Sequence, residues 1–117
     1  MWQNNAGFGI VLRWIDFSNH WFFTMETGGA NARLYERVLG TAYQRATVAV
    51  STPANYWTRL RVVDLGSIIR CYVEDSLVLA HSTTPESPAR VGVQTNSASS
   101  GVHRCRRFVV HRRGSVV

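Results

Sequence analysis

Lysine is absent from this sequence: all thirteen basic residues are arginine. Cysteine is scarce, with only Cys71 and Cys105. Two thiols cannot make the disulfide framework on which small secreted scaffolds rest. With no further thiol or imidazole ligands at close spacing, they make no zinc site either. Each falls in a β-like run, so both read as buried reduced thiols, with a single bridge between neighbouring strands as the alternative. No apolar run approaches the ~18 residues of a membrane helix. The opening Met1-Trp2-Gln3-Asn4-Asn5 lacks the basic-then-apolar pattern of a signal peptide, so the expectation is either no export by that route or a piece of a longer chain. Helical periodicity is missing as well: no stretch sets apolar residues at helical spacing between a start cap and a glycine stop. Acidic residues are few, seven against thirteen basic ones, a formal net charge of +6. That excess reflects either a source habit of using arginine or a polyanionic partner, which arginine's planar fork suits.

What is present is a β pattern. At 117 residues and 45% hydrophobic content the chain is long and apolar enough for one domain with one core. Phe8, Ile10, Leu12 and Trp14 alternate with Gly9, Val11 and Arg13, up to the turn-rich Asp16-Phe17-Ser18-Asn19. His20–Met25 is aromatic and β-prone. Ala32, Leu34 and Glu36 alternate with Arg33, Tyr35 and Arg37 up to Gly40, and Ala46–Val50 follows. In the second half Thr58, Leu60 and Val62 alternate with Trp57, Arg59, Arg61 and Val63. Ile69, Cys71 and Val73 oppose Arg70, Tyr72 and Glu74, the pattern of a strand with one face in the core. Asp75-Ser76 reads as a two-residue reversal into Leu77–His81, so 67–82 is predicted to be a hairpin. Val91 and Val93 begin another strand, and Phe108–His111 is the last. About nine short strands, spaced roughly eight to twelve residues apart, predict an all-β antiparallel sandwich of the jelly-roll kind.

These segments together resemble a known family. Gly9–Asp16 followed by Asn19-His20-Trp21, then Asn31–Val38, Trp57–Val62, Ile69–Asp75 with Leu77–Leu79, Arg90–Thr95 and Arg107–Val110 are similar, in order and spacing, to laminin G-like domains of the concanavalin A-like superfamily. The resemblance implies a single domain over residues 1–117 that lacks the family's first strands. It therefore predicts an open edge on the final strand, completed by another copy or by a larger assembly. It also implies a place outside the cell or on a virion, since similar domains occur in phage tail proteins. Calcium enters only through the resemblance, because no cluster of acidic and carbonyl ligands stands out. Otherwise no cofactor is expected.

Catalysis is not expected. Related glycoside hydrolases carry Glu-x-Asp-x-Glu on one strand, and no three of the seven acids fall at i, i+2, i+4. There is no Gly-x-Ser-x-Gly elbow, and His20, His81, His103 and His111 are scattered. The reading is a non-catalytic module that binds a carbohydrate or a protein surface through loops and one sheet face. A structural virion component is one alternative and an unusual glycoside hydrolase the other. Candidate ligand-binding residues are Trp14, Trp21, Tyr35 and Tyr72, whose rings suit sugar faces, with Asn19 and Asn96 in polar loops. A second candidate site, for a polyanion, is Arg104, Arg106, Arg107, Arg112 and Arg113. Nucleic acid ranks lower because no nucleic-acid-binding motif accompanies the charge.

Overall fold

The computed structural model describes residues 8–25, 31–50, 58–84 and 90–95. They form eight strands: β1 (Phe8–Asp16), β2 (Asn19–Met25), β3 (Asn31–Val38), β4 (Thr41–Ala49), β5 (Leu60–Asp64), β6 (Ile68–Val73), β7 (Ser76–Ser82) and β8 (Arg90–Thr95). The expected last strand, Phe108–His111, lies outside the described residues, as do Trp57 and Cys105. Five strands pair antiparallel in the order β4-β3-β2-β1-β8, and three in the order β5-β6-β7. The fold is an all-β sandwich of these two sheets.

Alternation of side chains across each strand builds the core. Leu12, Trp21, Phe23, Met25, Ala32 and Leu34 face Ile69, Cys71, Val73 and Leu79 across the gap. Phe23, Leu34 and Ile69 are fully buried, each contributing about 1.5–3 kcal/mol of transfer free energy. Cys71 is a free thiol in this layer, and burial pushes its pKa up to about 12. It therefore packs as a small neutral hydrophobe.

Three expectations are corrected. First, the alternation of β1 breaks at Arg13. Between the pairs Leu12↔Trp21 and Asp16↔Asn19, three β1 residues stand against the single His20 of β2. Arg13 takes up the surplus at φ +50°, which turns its side chain into the gap between the sheets and sends Trp14 to the outer face beside His20. Second, β4 begins at Thr41, five residues before the apolar run at Ala46, because residues 41–45 are all exposed and carry no apolar alternation. Third, the β6–β7 reversal is Glu74-Asp75, not Asp75-Ser76. Val73 pairs with Ser76, and both Glu74 (φ 50°) and Asp75 (φ 65°) are left-handed, as a type I′ turn requires.

The β3–β4 hairpin turns the same way, through Leu39 (φ 49°) and Gly40 (φ 86°). A leucine held left-handed costs roughly 1–2 kcal/mol against its ordinary backbone, and Leu39 is 84% exposed, so no burial offsets the cost. Leu39→Asn creates the Asn-Gly pair this turn favours. It is expected to raise stability by about 1 kcal/mol, read as a higher urea midpoint at unchanged slope.

Candidate functional site

The long β3–β4 hairpin and the end of β7 flank a cleft of about 290 Å³ at one end of the sandwich. Its floor is Trp21, a core residue, with the Arg13 guanidinium 5.6 Å from its ring centre and the His81 ring at 5.9 Å. Glu36 and Arg45 form one wall. Arg45 Nε donates to Glu36 Oε1 at 3.1 Å, and a terminal guanidinium nitrogen lies 3.0 Å from the same oxygen. The opposite wall is His81 with Ser82, Thr83 and Thr84. Tyr43 pairs with Glu36 across the hairpin and so shares its face. It is 45% exposed, with the Arg45 guanidinium 5.0 Å from its ring centre. A second cavity of about 130 Å³, bordered by Asn19 and Arg37, shares Trp21 and Glu36 with the first. The cleft thus holds an ion pair and a row of hydroxyls, with an exposed ring on the same face as Glu36, groups with the capacity to hydrogen-bond and pack on a polar ligand.

Beneath the cleft the two sheets are tied together. Arg13 Nε donates to Asp64 Oδ2 at 2.8 Å and one terminal nitrogen to Asp64 Oδ1 at 2.7 Å. The same terminal nitrogen reaches the Gly66 carbonyl at 2.8 Å, and the other the Thr83 hydroxyl at 3.0 Å. Burial acts to raise the Asp64 pKa. The Arg13 hydrogen bonds, the Gly66 N–H and the Arg13 charge outweigh it, so the carboxyl sits below its ordinary 3.8.

No family model matches the chain, and no curated protein does. Among solved structures the picture differs. The sandwich is similar to that of the carbohydrate-binding module CBM66 from Bacillus subtilis. The TM-score is 0.70 at 16% sequence identity, over 85% of this chain and 58% of CBM66. The chain therefore spans about 58% of the length of that module. At this identity the likeness to CBM66 lies in the fold.

The residues singled out from sequence do not converge on one surface. Trp14 and Tyr35 share the outer face of the five-stranded sheet, linked by a row of rings. Trp14 lies 4.7 Å from His20, His20 lies 5.7 Å from Phe22, and Phe22 stacks on Tyr35 at 4.8 Å. His20 and Phe22 are buried and Trp14 and Tyr35 half-buried, so the row is a packed layer with aromatic margins. Trp21 faces the opposite way, into the core. Asn19 braces two turns: its side-chain amide donates to Asp16 at 3.0 Å and its carbonyl accepts from Leu39 N at 3.1 Å. Tyr72 lies on the outside of the three-stranded sheet, under the Arg61 guanidinium at 4.1 Å. Asn96 and Arg104, Arg106, Arg107, Arg112 and Arg113 lie outside the described residues. Glu36, Tyr43, Arg45 and His81 stand at the site with no motif in the sequence to mark them. The one available signal was that Glu36 shares an alternation phase with Ala32 and Leu34 and so points to the inner face.

Proposed function

We propose that this chain is a non-catalytic module that binds sugar units of a glycan in the cleft between its sheets. The observation that carries the reading is the Glu36–Arg45 pair beside the exposed Tyr43 ring. A flat aromatic face packs against the C–H face of a sugar, and fixed polar groups take up its hydroxyls. Both Arg45 contacts fall on Glu36 Oε1, and among the described residues Oε2 takes no hydrogen bond. The cleft is at the small end of ligand sites, about 300 Å³ upward, which suits one or two sugar units. The sandwich shared with a carbohydrate-binding module supports the reading.

Binding without turnover fits the same geometry. Glycoside hydrolysis takes two carboxyl groups roughly 5–10 Å apart, and Glu36 is the one acid among the described residues lining either cavity. Calcium has no comparable support: among the described residues no group of three or more His, Cys, Asp or Glu could hold a metal. No helix among those residues is long and apolar enough to cross a membrane. The finer assignment to laminin G-like domains, and a place outside the cell or on a virion, extend this proposal. One observation favours a structural role in an assembly. Among the described residues β4 is an edge strand of nine residues, and a second copy could pair along it.

The test is a glycan array at physiological salt, followed by calorimetry on any hit. Tyr43→Ala is expected to weaken binding by roughly tenfold, for the loss of about 1 kcal/mol or more of stacking. Glu36→Gln is expected to weaken it by roughly ten- to a hundredfold, since hydrogen bonds to a charged group contribute about 1.5–3 kcal/mol. An array without hits, or hits that both variants bind as tightly as the parent, would remove the carbohydrate reading.

A further inference from the structure

Two hairpin tips project side by side and carry large apolar residues where a turn ordinarily carries polar ones. Phe17, at the β1–β2 turn, is 85% exposed, and Leu39, at the β3–β4 turn, is 84% exposed. Ile15 beside them is 67% exposed. The tips are locked to each other: Gly40 N donates to the Ser18 carbonyl at 2.9 Å, and Leu39 N to Asn19 Oδ1. Leu39 is also held in a left-handed conformation that favours glycine or asparagine. Folding therefore gains little from the exposed surface of these side chains and loses something at Leu39.

We propose that the paired tips insert into the surface of a lipid bilayer bearing anionic headgroups. A projecting knob suits a soft apolar layer, whereas a groove would suit a peptide. The residues behind the knob are graded as an interface requires. Trp14 lies directly behind Phe17, edge to face at 5.1 Å, in the position where tryptophan seats itself at headgroup depth. Arg37 is bonded to the Gly40 carbonyl of the tip at 2.9 Å, and the exposed Arg90 is paired with Trp14, so two cations stand close to the apolar residues. The nearby, exposed Asp16 carboxylate accepts from the Ser18 N–H and the Asn19 amide, and the Arg37 and Arg90 charges outnumber it. A chain with net charge +6 is drawn to an anionic leaflet over the Debye distance, and the apolar tips then hold it there.

Phe17 and Leu39 line neither cavity of the glycan site, so the two readings fail separately. The experiment is co-sedimentation of the full chain with phosphatidylcholine vesicles, with and without 30% phosphatidylserine, at about 0.1 M salt. The expected result is binding to the anionic vesicles that Phe17→Ser with Leu39→Asn weakens by about tenfold or more, the loss of two buried apolar side chains. Glycan binding should be unchanged in that variant. Arg37→Gln with Arg90→Gln should weaken binding only to the phosphatidylserine vesicles. Three results would overturn the proposal. One is no vesicle binding. Another is binding that salt abolishes and the tip variant leaves intact, which is adsorption of a basic chain. The last is a self-associating parent made monomeric by the tip variant without vesicle binding, which assigns the tips to a second copy.

Discussion

Replacing Arg13 with methionine is expected to destabilise the protein by about 3–5 kcal/mol, the cost of leaving one member of a buried ion pair unmatched. The Arg13 side chain is 1% exposed and that of Asp64 15%. Methionine keeps the volume over Trp21 but strands the Asp64 carboxylate and removes a donor from the Gly66 carbonyl and the Thr83 hydroxyl. Such a loss is roughly a fifth or more of the ~5–15 kcal/mol that holds a domain of this size. Asp64→Asn, which leaves the guanidinium buried without its counter-charge, should cost a comparable amount. The pair also sets the acid limit. The Asp64 pKa is lowered on folding, so its contribution is complete above 3.8 and declines as pH falls below that toward the folded value. Urea titrations from pH 7 to pH 2.5 should show parent stability falling below about pH 4, with a shallower fall in Asp64→Asn. Equal slopes, or an Arg13→Met protein within 1 kcal/mol of the parent, would mean that the two sheets are held without the pair. Because Thr83 belongs to the wall of the cleft, Arg13→Met should also weaken glycan binding while leaving the tips untouched.

The same arginine marks how far the sequence could be read. The two-residue period of Ile69–Val73 and Ala32–Leu34 is set by burial against the facing sheet, and the structure places those residues as the pattern implies. Arg13 broke the pattern because a non-glycine bulge has no composition of its own. Its charge argued for the outer face, and only the position of Asp64, 51 residues later, makes the inner face favourable. Glu74-Asp75 was displaced by one residue for a similar reason. Glutamate does not advertise a left-handed conformation, whereas Asp-Ser reads as a turn. The cleft was hidden by the exposure of β4. Residues 41–45 lie on an edge strand where apolar alternation has nothing to pack against, so Tyr43 and Arg45 gave no strand signal. Residue type alone does not distinguish Trp21, which fills the core, from Tyr43, which is 45% exposed.

Gly9→Ala is expected to be strongly destabilising although it adds a single methyl group. An ideal Cβ at Gly9 overlaps the Phe23 carbonyl oxygen and lies 2.8 Å from the Phe23 carbonyl carbon and 2.9 Å from Thr24 Cα. All three are backbone atoms of β2, so no rotamer change relieves the clash, and β1 must move away from its partner. Glycine within a strand commonly marks such a close approach. Overpacking against side chains costs about 1–3 kcal/mol. Against backbone the cost should reach the top of that range or beyond, lowering the melting temperature by on the order of 10 °C or more. Gly92 supplies the control, because it lies on β8, the other neighbour of β1, and a Cβ there meets nothing within 4 Å. Gly92→Ala should melt within a few degrees of the parent, through a gain in strand propensity of about 0.5–1 kcal/mol at most. The pair of melts separates a steric requirement from a general intolerance of alanine in these strands. If Gly9→Ala melts with Gly92→Ala, β1 does not approach β2 at Phe23. If Gly9→Ala alone falls, Gly9 is there because β2 leaves no room for a side chain.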